Sequence, residues 1–275
     1  MHRSFSVVGV ATLVVFGVLT WNWHRCSPEY ALKIVDTIHN VTDLNAHTAY
    51  FTDQGLQIER VLLSFPLAAQ QDQAFGKPQI DGNRMSVEAS SAKNTTRWFF
   101  VRNSVWQLDD IVYTRMDDHP WNARLSEVAE PLRALVMAGS LKTPEAITNE
   151  THFLTEKGKK VLLYNLTHAS SDPSGPAPNL KMRDPVVADN RVTFPFELEA
   201  GSRISAVIVK NAEWQYDDLI IESIQGRDVN LSLSYKIDHP VKAFLQTVDV
   251  EHFTEKTIKW FIIGYSAAKA LNSGR

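Results

Sequence analysis

The strongest constraint on this chain is a block that it contains twice. Residues 101–111 read VRNSVWQLDDI, and residues 209–219 read VKNAEWQYDDL. Val, Asn, Trp, Gln and both Asp recur at the same spacing, and Arg102 becomes Lys210. Two copies of one small fold unit are therefore expected. In each block apolar residues run up to Val101 or Val209, pause at the Asn, and resume at once. That pattern suggests a hairpin with a two-residue turn, Asn taking a positive φ. Beyond the turn, Trp106 and Leu108 alternate with Val105 and Gln107, and Trp214 and Tyr216 take the same face in the second copy. One face is expected to pack inward and the other to stay polar. The pairs Asp109, Asp110 and Asp217, Asp218 are expected to end the strand, because Asp disfavours strands and favours turns.

Around the first block the period changes once. Ser27, Pro28 and Glu29 form a helix start with a cap, a Pro at the first position and an early acid. Tyr30, Ala31, Ile34, Val35 and Ile38 then make one helical stripe. Asn40 to Asp43 is expected to break it, a short helical piece to cover 44–50, and a helix to open at Thr52 with Leu56, Val61, Leu62 and Phe65 apolar. Residues 67–77 read as a loop. Met85, Val87 and Ala89 alternate with period two, residues 91–96 read as a turn, and strands follow at 98–101 and 105–113. Helices first and an antiparallel meander after them is an α+β order.

The second copy repeats this. Pro28, Ala31 and Leu32 match Pro131, Ala134 and Leu135, and Tyr50-Phe51-Thr52 with Gly55 matches Phe153-Leu154-Thr155 with Gly158. Strands are expected at 192–198, 204–209 and 213–221, and the loop at 170–178 absorbs a small insertion. A helix over 121–137 would open this copy. Alternation at 229–237 adds a fourth strand that the first copy lacks. The domain reading is an anchor at 1–26, a first repeat at 27–120, a second at 121–240 and a C-terminal helix over 241–275.

The N-terminus reads as a membrane anchor. Residues 4–23 carry no charge, and as a helix at roughly 1.5 Å per residue they span about 30 Å, the thickness of a hydrocarbon core. Arg3 precedes this run, and Trp21, Trp23, His24 and Arg25 edge it as at a membrane interface. No small-residue cleavage site follows, which argues against a signal peptide. Membrane lipid is thus a partner through residues 4–23, with a short cytoplasmic head and the domains outside. A net charge of −3 offers no basic surface for nucleic acid, and the single Cys26 allows neither an intrachain disulfide nor a cysteine metal site.

Helices followed by a meander with a late W-x-x-D-D strand resemble the nuclear transport factor 2-like superfamily, whose members form an α+β cone. Residues 50–55, YFTDQG, also resemble the YFTPxGW signature of the DotI/IcmL proteins, with Asp53 for Pro and Leu56 for Trp. Those are single-pass inner-membrane components of type IV secretion with a periplasmic domain of this fold. The resemblance implies a bacterial inner-membrane protein with periplasmic domains.

Candidate chemistry is thin. Asp109 with Asp110, and Asp217 with Asp218, are paired carboxylates suited to acid–base work, but their duplication favours a fold role. Asp118-His119 and Asp238-His239 suggest a dyad or metal ligands, or helix caps, since each precedes a Pro and an expected helix. Trp106 and Trp214 either line a cone cavity or fill the core. Asn40, Asn94, Asn149, Asn165 and Asn230 lie in N-x-S/T sequons. No phosphate-binding loop, dinucleotide fingerprint, nucleophile elbow or zinc spacing occurs, so no cofactor and no metal is expected. The first reading is a non-catalytic interaction or scaffold protein with a protein partner in the cell envelope. The second is a small-ligand binder using the cone, and the third an isomerase- or dehydratase-like enzyme with an acid or His in that cavity.

Overall fold

The computed structural model describes residues 24–64, 73–116, 119–168, 181–198 and 201–240. The first helix, α1 (Pro28–Asp36), begins as its sequence dictates. Ser27 accepts from the Tyr30 amide, Pro28 occupies the first turn, and Ala31, Leu32 and Val35 are buried. Asn40 does not merely break α1. It caps α2 (Val41–Ala46), accepting from the Asp43 amide, and a 3-10 turn follows at Thr48–Tyr50. Helix α3 (Asp53–Ser64) buries Ile58, Val61 and Leu62, and with them Glu59.

Six strands complete the unit: β1 (Ala74–Phe75), β2 (Gln79–Asp81), β3 (Arg84–Ser90), β4 (Thr95–Arg102), β5 (Trp106–Met116) and β6 (His119–Arg124). They pair in the order β1-β3-β4-β5-β6, with β2 also on β3, and every pair is antiparallel. The second unit has α4 (Leu125–Ser140), α5 (Pro144–Asn149) and α6 (Glu156–His168). Its strands are β7 (Lys181–Met182), β8 (Val186–Ala188), β9 (Arg191–Glu197), β10 (Arg203–Lys210), β11 (Trp214–Ile224) and β12 (Arg227–Ser232). Their order is β7-β9-β10-β11-β12 with β8 on β9, the wiring of the first sheet. The chain is α+β with two antiparallel sheets, as the sequence pattern implies.

Four details differ from expectation. The Asp pair does not end the strand, since β5 runs on to Met116 and β11 to Ile224. It creates a β-bulge instead. Phe99 pairs with Asp110 and Phe100 with Leu108, leaving Asp109 over, and Asp217 is left over in the same way between Val207↔Asp218 and Ile208↔Tyr216. The bulge shifts the strand's phase. Trp106, Leu108 and Asp110 are buried on one side of it, and Ile111 and Tyr113 on the other. Second, the hairpin loop has three residues: Arg102 pairs with Trp106 and Lys210 with Trp214. Neither Asn takes a positive φ. Third, the fourth strand exists in both units. Residues 121–124, expected to open a helix, belong to β6 (His119–Arg124), and α4 starts only at Leu125. In the second unit β12 stops at Ser232, whose hydroxyl caps a short helix, α7 (Leu233–Asp238). Fourth, β4 begins at Thr95, inside the expected turn.

Helix α4 joins the units. It buries Leu125, Val128, Ala129, Leu132, Ala134, Leu135, Val136 and Ala138, and with α3 it borders a groove lined by Leu56, Arg60, Val61, Glu130 and Arg133. The Trp121 indole of β6 donates to the Arg183 carbonyl at 2.9 Å, and the Asn122 amide donates to Asp184 at 2.7 Å. No described helix is long and apolar enough to cross a membrane. The expected anchor at 4–23 and the expected C-terminal helix at 241–275 lie outside the described residues.

Candidate functional site

The duplicated block is a joint between helix and sheet, and each polar residue in it has the same task in both units. Gln107 donates to the carbonyls of Ala49 and Phe51, and Gln215 to those of Thr151 and Leu154. Asn103 donates to Gln107 and Asn211 to Gln215, fixing the amide. The Thr52 amide donates to the Leu108 carbonyl at 2.9 Å, and the Thr155 amide to the Tyr216 carbonyl at 3.1 Å. Each Thr hydroxyl donates to the first Asp, Thr52 to Asp109 at 2.9 Å and Thr155 to Asp217 at 2.8 Å. The same hydroxyls accept from the Gly55 and Gly158 amides, capping α3 and α6. Glycine is required there because a Cβ at 55 would lie 2.1 Å from the Leu108 oxygen, and one at 158 would lie 2.2 Å from the Tyr216 oxygen. The Thr and Gly that carry the YFTDQG resemblance are therefore fold determinants.

The second Asp of each pair holds the next helix. Asp110 is 1% exposed. It accepts from the Ile111 and Ser126 amides, the Ser126 hydroxyl and Arg124 Nη1, the last two at 2.8 Å. Asp218 accepts from the Leu219 and Ser234 amides and from the hydroxyls of Ser232 and Ser234. Lys157 Nζ, 2.8 Å away, stands in for Arg124. Burial works against the Lys157 ammonium, but hydrogen bonds and charge from Asp218 and Asp217 outweigh it and raise its pKa. Carboxylates that accept this many bonds at helix starts are anchors. They have no lone pair left aimed at a substrate.

The other sequence candidates do not assemble. His119 sits in β6, ahead of a strand and not a helix, and Asp118 lies outside the described residues. Asp238 ends α7, and His239 follows it with its ring tilted over Tyr235 at 4.8 Å. His119 and His239 thus occupy different places in the fold, and Asp238 ends a helix instead of starting one. Among the described residues no group of three metal-ligating side chains occurs. Trp106 is buried in the core, while Trp214 is half-buried under Lys210. Of the sequon residues, Asn94 and Asn165 are buried, so neither can accept a glycan in the folded state.

A cavity of about 330 Å³ lies inside the first unit, and the sequence reading missed its lining, which does not include Trp106. It opens between the end of α1, α3 and the sheet. Glu59, Gln73, Thr96, Trp98, Tyr113 and Leu125 are among its walls, with Asp36 and His39 at the α1 side. Trp98 donates to Thr96 at 2.9 Å and packs edge-on against Phe75. Glu59 is 4% exposed. The repeat shows what is particular here. At the places of Glu59, Thr96, Trp98 and Tyr113 the second unit has Leu162, Ile204, Ala206 and Ile221, all buried core. At these four positions the wall is polar or aromatic in the first copy and aliphatic in the second, whereas Leu62, also in the wall, is matched by the buried Asn165. A signal for this was present in the sequence, as a charged residue on the inward stripe of α3 where α6 has Leu. Comparison with protein families, with curated proteins and with solved structures finds no match to this chain.

Proposed function

We propose that this chain is a non-catalytic, membrane-anchored extracytoplasmic binding protein. It is built from two tandem nuclear transport factor 2-like units, of which the first holds a small polar molecule and the second serves as scaffold. The observation that carries this reading is the cavity's contrast with its twin. Pockets of about 300–1,000 Å³ with a few convergent polar groups on apolar walls are the usual small-ligand sites, and at four of this cavity's wall positions the second unit carries buried aliphatic residues instead. The Glu59 carboxyl, the Gln73 amide and the aromatic faces of Trp98 and Tyr113 in this lining suit a compact ligand with hydrogen-bond donors. The saturation of Asp110 and Asp218 by helix-start donors and cations supports a non-catalytic role. The test is native mass spectrometry of the full chain taken from its source membrane in mild detergent. A small-molecule adduct is expected, and it should vanish when Glu59→Leu and Thr96→Ile import the second unit's residues. An adduct that survives both substitutions, or none at all, refutes the reading.

A second reading, the envelope interaction role, rests on the sheet edges. The short edge strands β2 and β8 expose Ile80 (55%) and the neighbours Val186 (62%) and Val187 (44%) at matching positions. An edge with exposed apolar side chains is a template for an added strand from a partner. Val187→Lys should abolish capture of such a partner and leave the cavity unaffected. Capture that persists would exclude this edge.

A further inference from the structure

We propose that the groove between α3 and α4 is a second binding site, whose ligand is a short peptide of about three residues with both ends free. The groove has a volume of about 580 Å³. Asp53, Gln57, Arg60 and Ser64 line it from α3 and are exposed, while Leu56 is half-buried and Val61 buried. The four polar positions recur at helical spacing, so they form one row along one face. Glu130 and Arg133 make the α4 wall. The cavity of the first unit is walled from α3 by Glu59 and Leu62 instead, and the two sites share no residue.

The second unit shows which charges are spare. Glu156, in the place of Asp53, pairs with Lys159 at 2.8 Å, and Lys160, in the place of Gln57, pairs with Asp238 at 3.3 Å. Leu163 takes the place of Arg60. In the first unit Leu56 stands where Lys159 does, so Asp53 has no counter-charge at that position. Neither Asp53 nor Arg60 has a hydrogen bond or ion pair among the described residues. On α4 the charges are already matched: Arg133 Nη1 lies 3.7 Å from Glu130, and its guanidinium sits over the Phe153 ring at 5.4 Å. One carboxylate and one guanidinium, on the same row of α3, are left over.

Their separation selects the ligand. Asp53 and Arg60 are seven residues apart, roughly 10.5 Å along a helix. An extended chain covers about 3.3–3.6 Å per residue, so about three residues span that distance, with an ammonium at one end and a carboxylate at the other. A single amino acid carries both charges on one carbon and is too short. An ion of one sign leaves the opposite charge of the row unmatched. Gln57, between the two, offers a donor and an acceptor to a peptide bond, and Leu56 and Val61 give apolar contact to a side chain. Arg60 can take the terminal carboxylate through two parallel bonds. The peptide therefore lies along α3, its amino end at Asp53 and its carboxyl end at Arg60.

The experiment is isothermal titration calorimetry of the full chain in mild detergent with the tripeptide alanyl-leucyl-alanine. The same peptide with its amino end acetylated, the same peptide with its carboxyl end amidated, and free leucine are the comparisons. The free tripeptide should bind, and each block should weaken it about tenfold, the size of one charge-assisted contact. Free leucine should give no binding heat. Asp53→Asn should weaken the free peptide while leaving the acetylated one as in the parent. Arg60→Leu, which imports the second unit's residue, should do the same for the amidated one. Both side chains are exposed, and an unchanged melting temperature shows that each variant is folded. Glu59→Leu should leave tripeptide binding intact, so the groove and the cavity stand or fall separately. The proposal is overturned by no tripeptide binding, by affinity indifferent to the blocked ends, or by free leucine binding as tightly. Variants that treat the blocked peptides as the parent does, or loss of the tripeptide in Glu59→Leu, overturn it as well.

Discussion

Gly55→Ala and Gly158→Ala set helix propensity against close approach. In an ordinary helix the change gains about 0.5–1 kcal/mol. Here the new methyl would lie 2.1 Å from the Leu108 oxygen at one site and 2.2 Å from the Tyr216 oxygen at the other, where ordinary contact starts at 3.4 Å. Helix and strand must separate by roughly an ångström, an overpacking cost of about 1–3 kcal/mol. The Thr52 and Thr155 bonds to strand and aspartate stretch with them, at about 1 kcal/mol or more each. The net expectation is a loss of about 2–4 kcal/mol per site. Urea unfolding of the full chain, followed by tryptophan fluorescence, reads it as a lowered midpoint for the unit concerned, since two domains need not unfold together. A neutral or stabilising effect at either site would refute the joint as described.

Thr155→Ala removes both the α6 cap and the Asp217 bond and should cost about 1–2 kcal/mol by the same assay. Asn165 is wholly buried, and neither its amide nitrogen nor its oxygen has a partner among the described residues. Leu62 occupies the matching place on α3, so Asn165→Leu should stabilise by about 1–2 kcal/mol; a destabilised variant would contradict this. Burial, with the charges of Asp218 and Asp217 adding to it, raises the Tyr216 pKa well above its ordinary value. Above about pH 10 the unfolded chain releases the tyrosine proton while the folded chain keeps it. Stability present below that pH is therefore lost as pH rises towards the folded pKa. Tyr216→Phe should flatten this alkaline loss in melts taken from pH 9 to 11 (about one unit either side of the free value), and an unchanged slope would be the contrary result.

The sequence was informative where one residue's preference decided a local structure. Ser27 and Pro28 marked a helix start, period-two runs marked β3 and β9, and the doubled block marked the doubled fold. It misled where a residue's preference was overridden by a distant partner. Asp110 stays in a strand because Ser126, Arg124 and a helix start come to it, and no local rule contains them. The Asp-His-Pro echoes looked equivalent, yet His119 lies in a strand and His239 just past a helix. The cavity's lining went unseen because Glu59, Thr96 and Tyr113 come from three separated elements. Only a position-by-position contrast between the copies singles them out.

The most direct measurement is the unfolding free energy of Asp110→Asn and Asp218→Asn, each with its small-molecule adduct recorded on the same sample. Asp110 accepts three hydrogen bonds besides the one from Arg124, and Asp218 accepts four besides facing Lys157. Replacing one oxygen by a donor should cost about 2–4 kcal/mol, in both units alike, with the adduct retained on the molecules that remain folded. Variants as stable as the parent that lose the adduct would mark these aspartates as working groups and contradict the account.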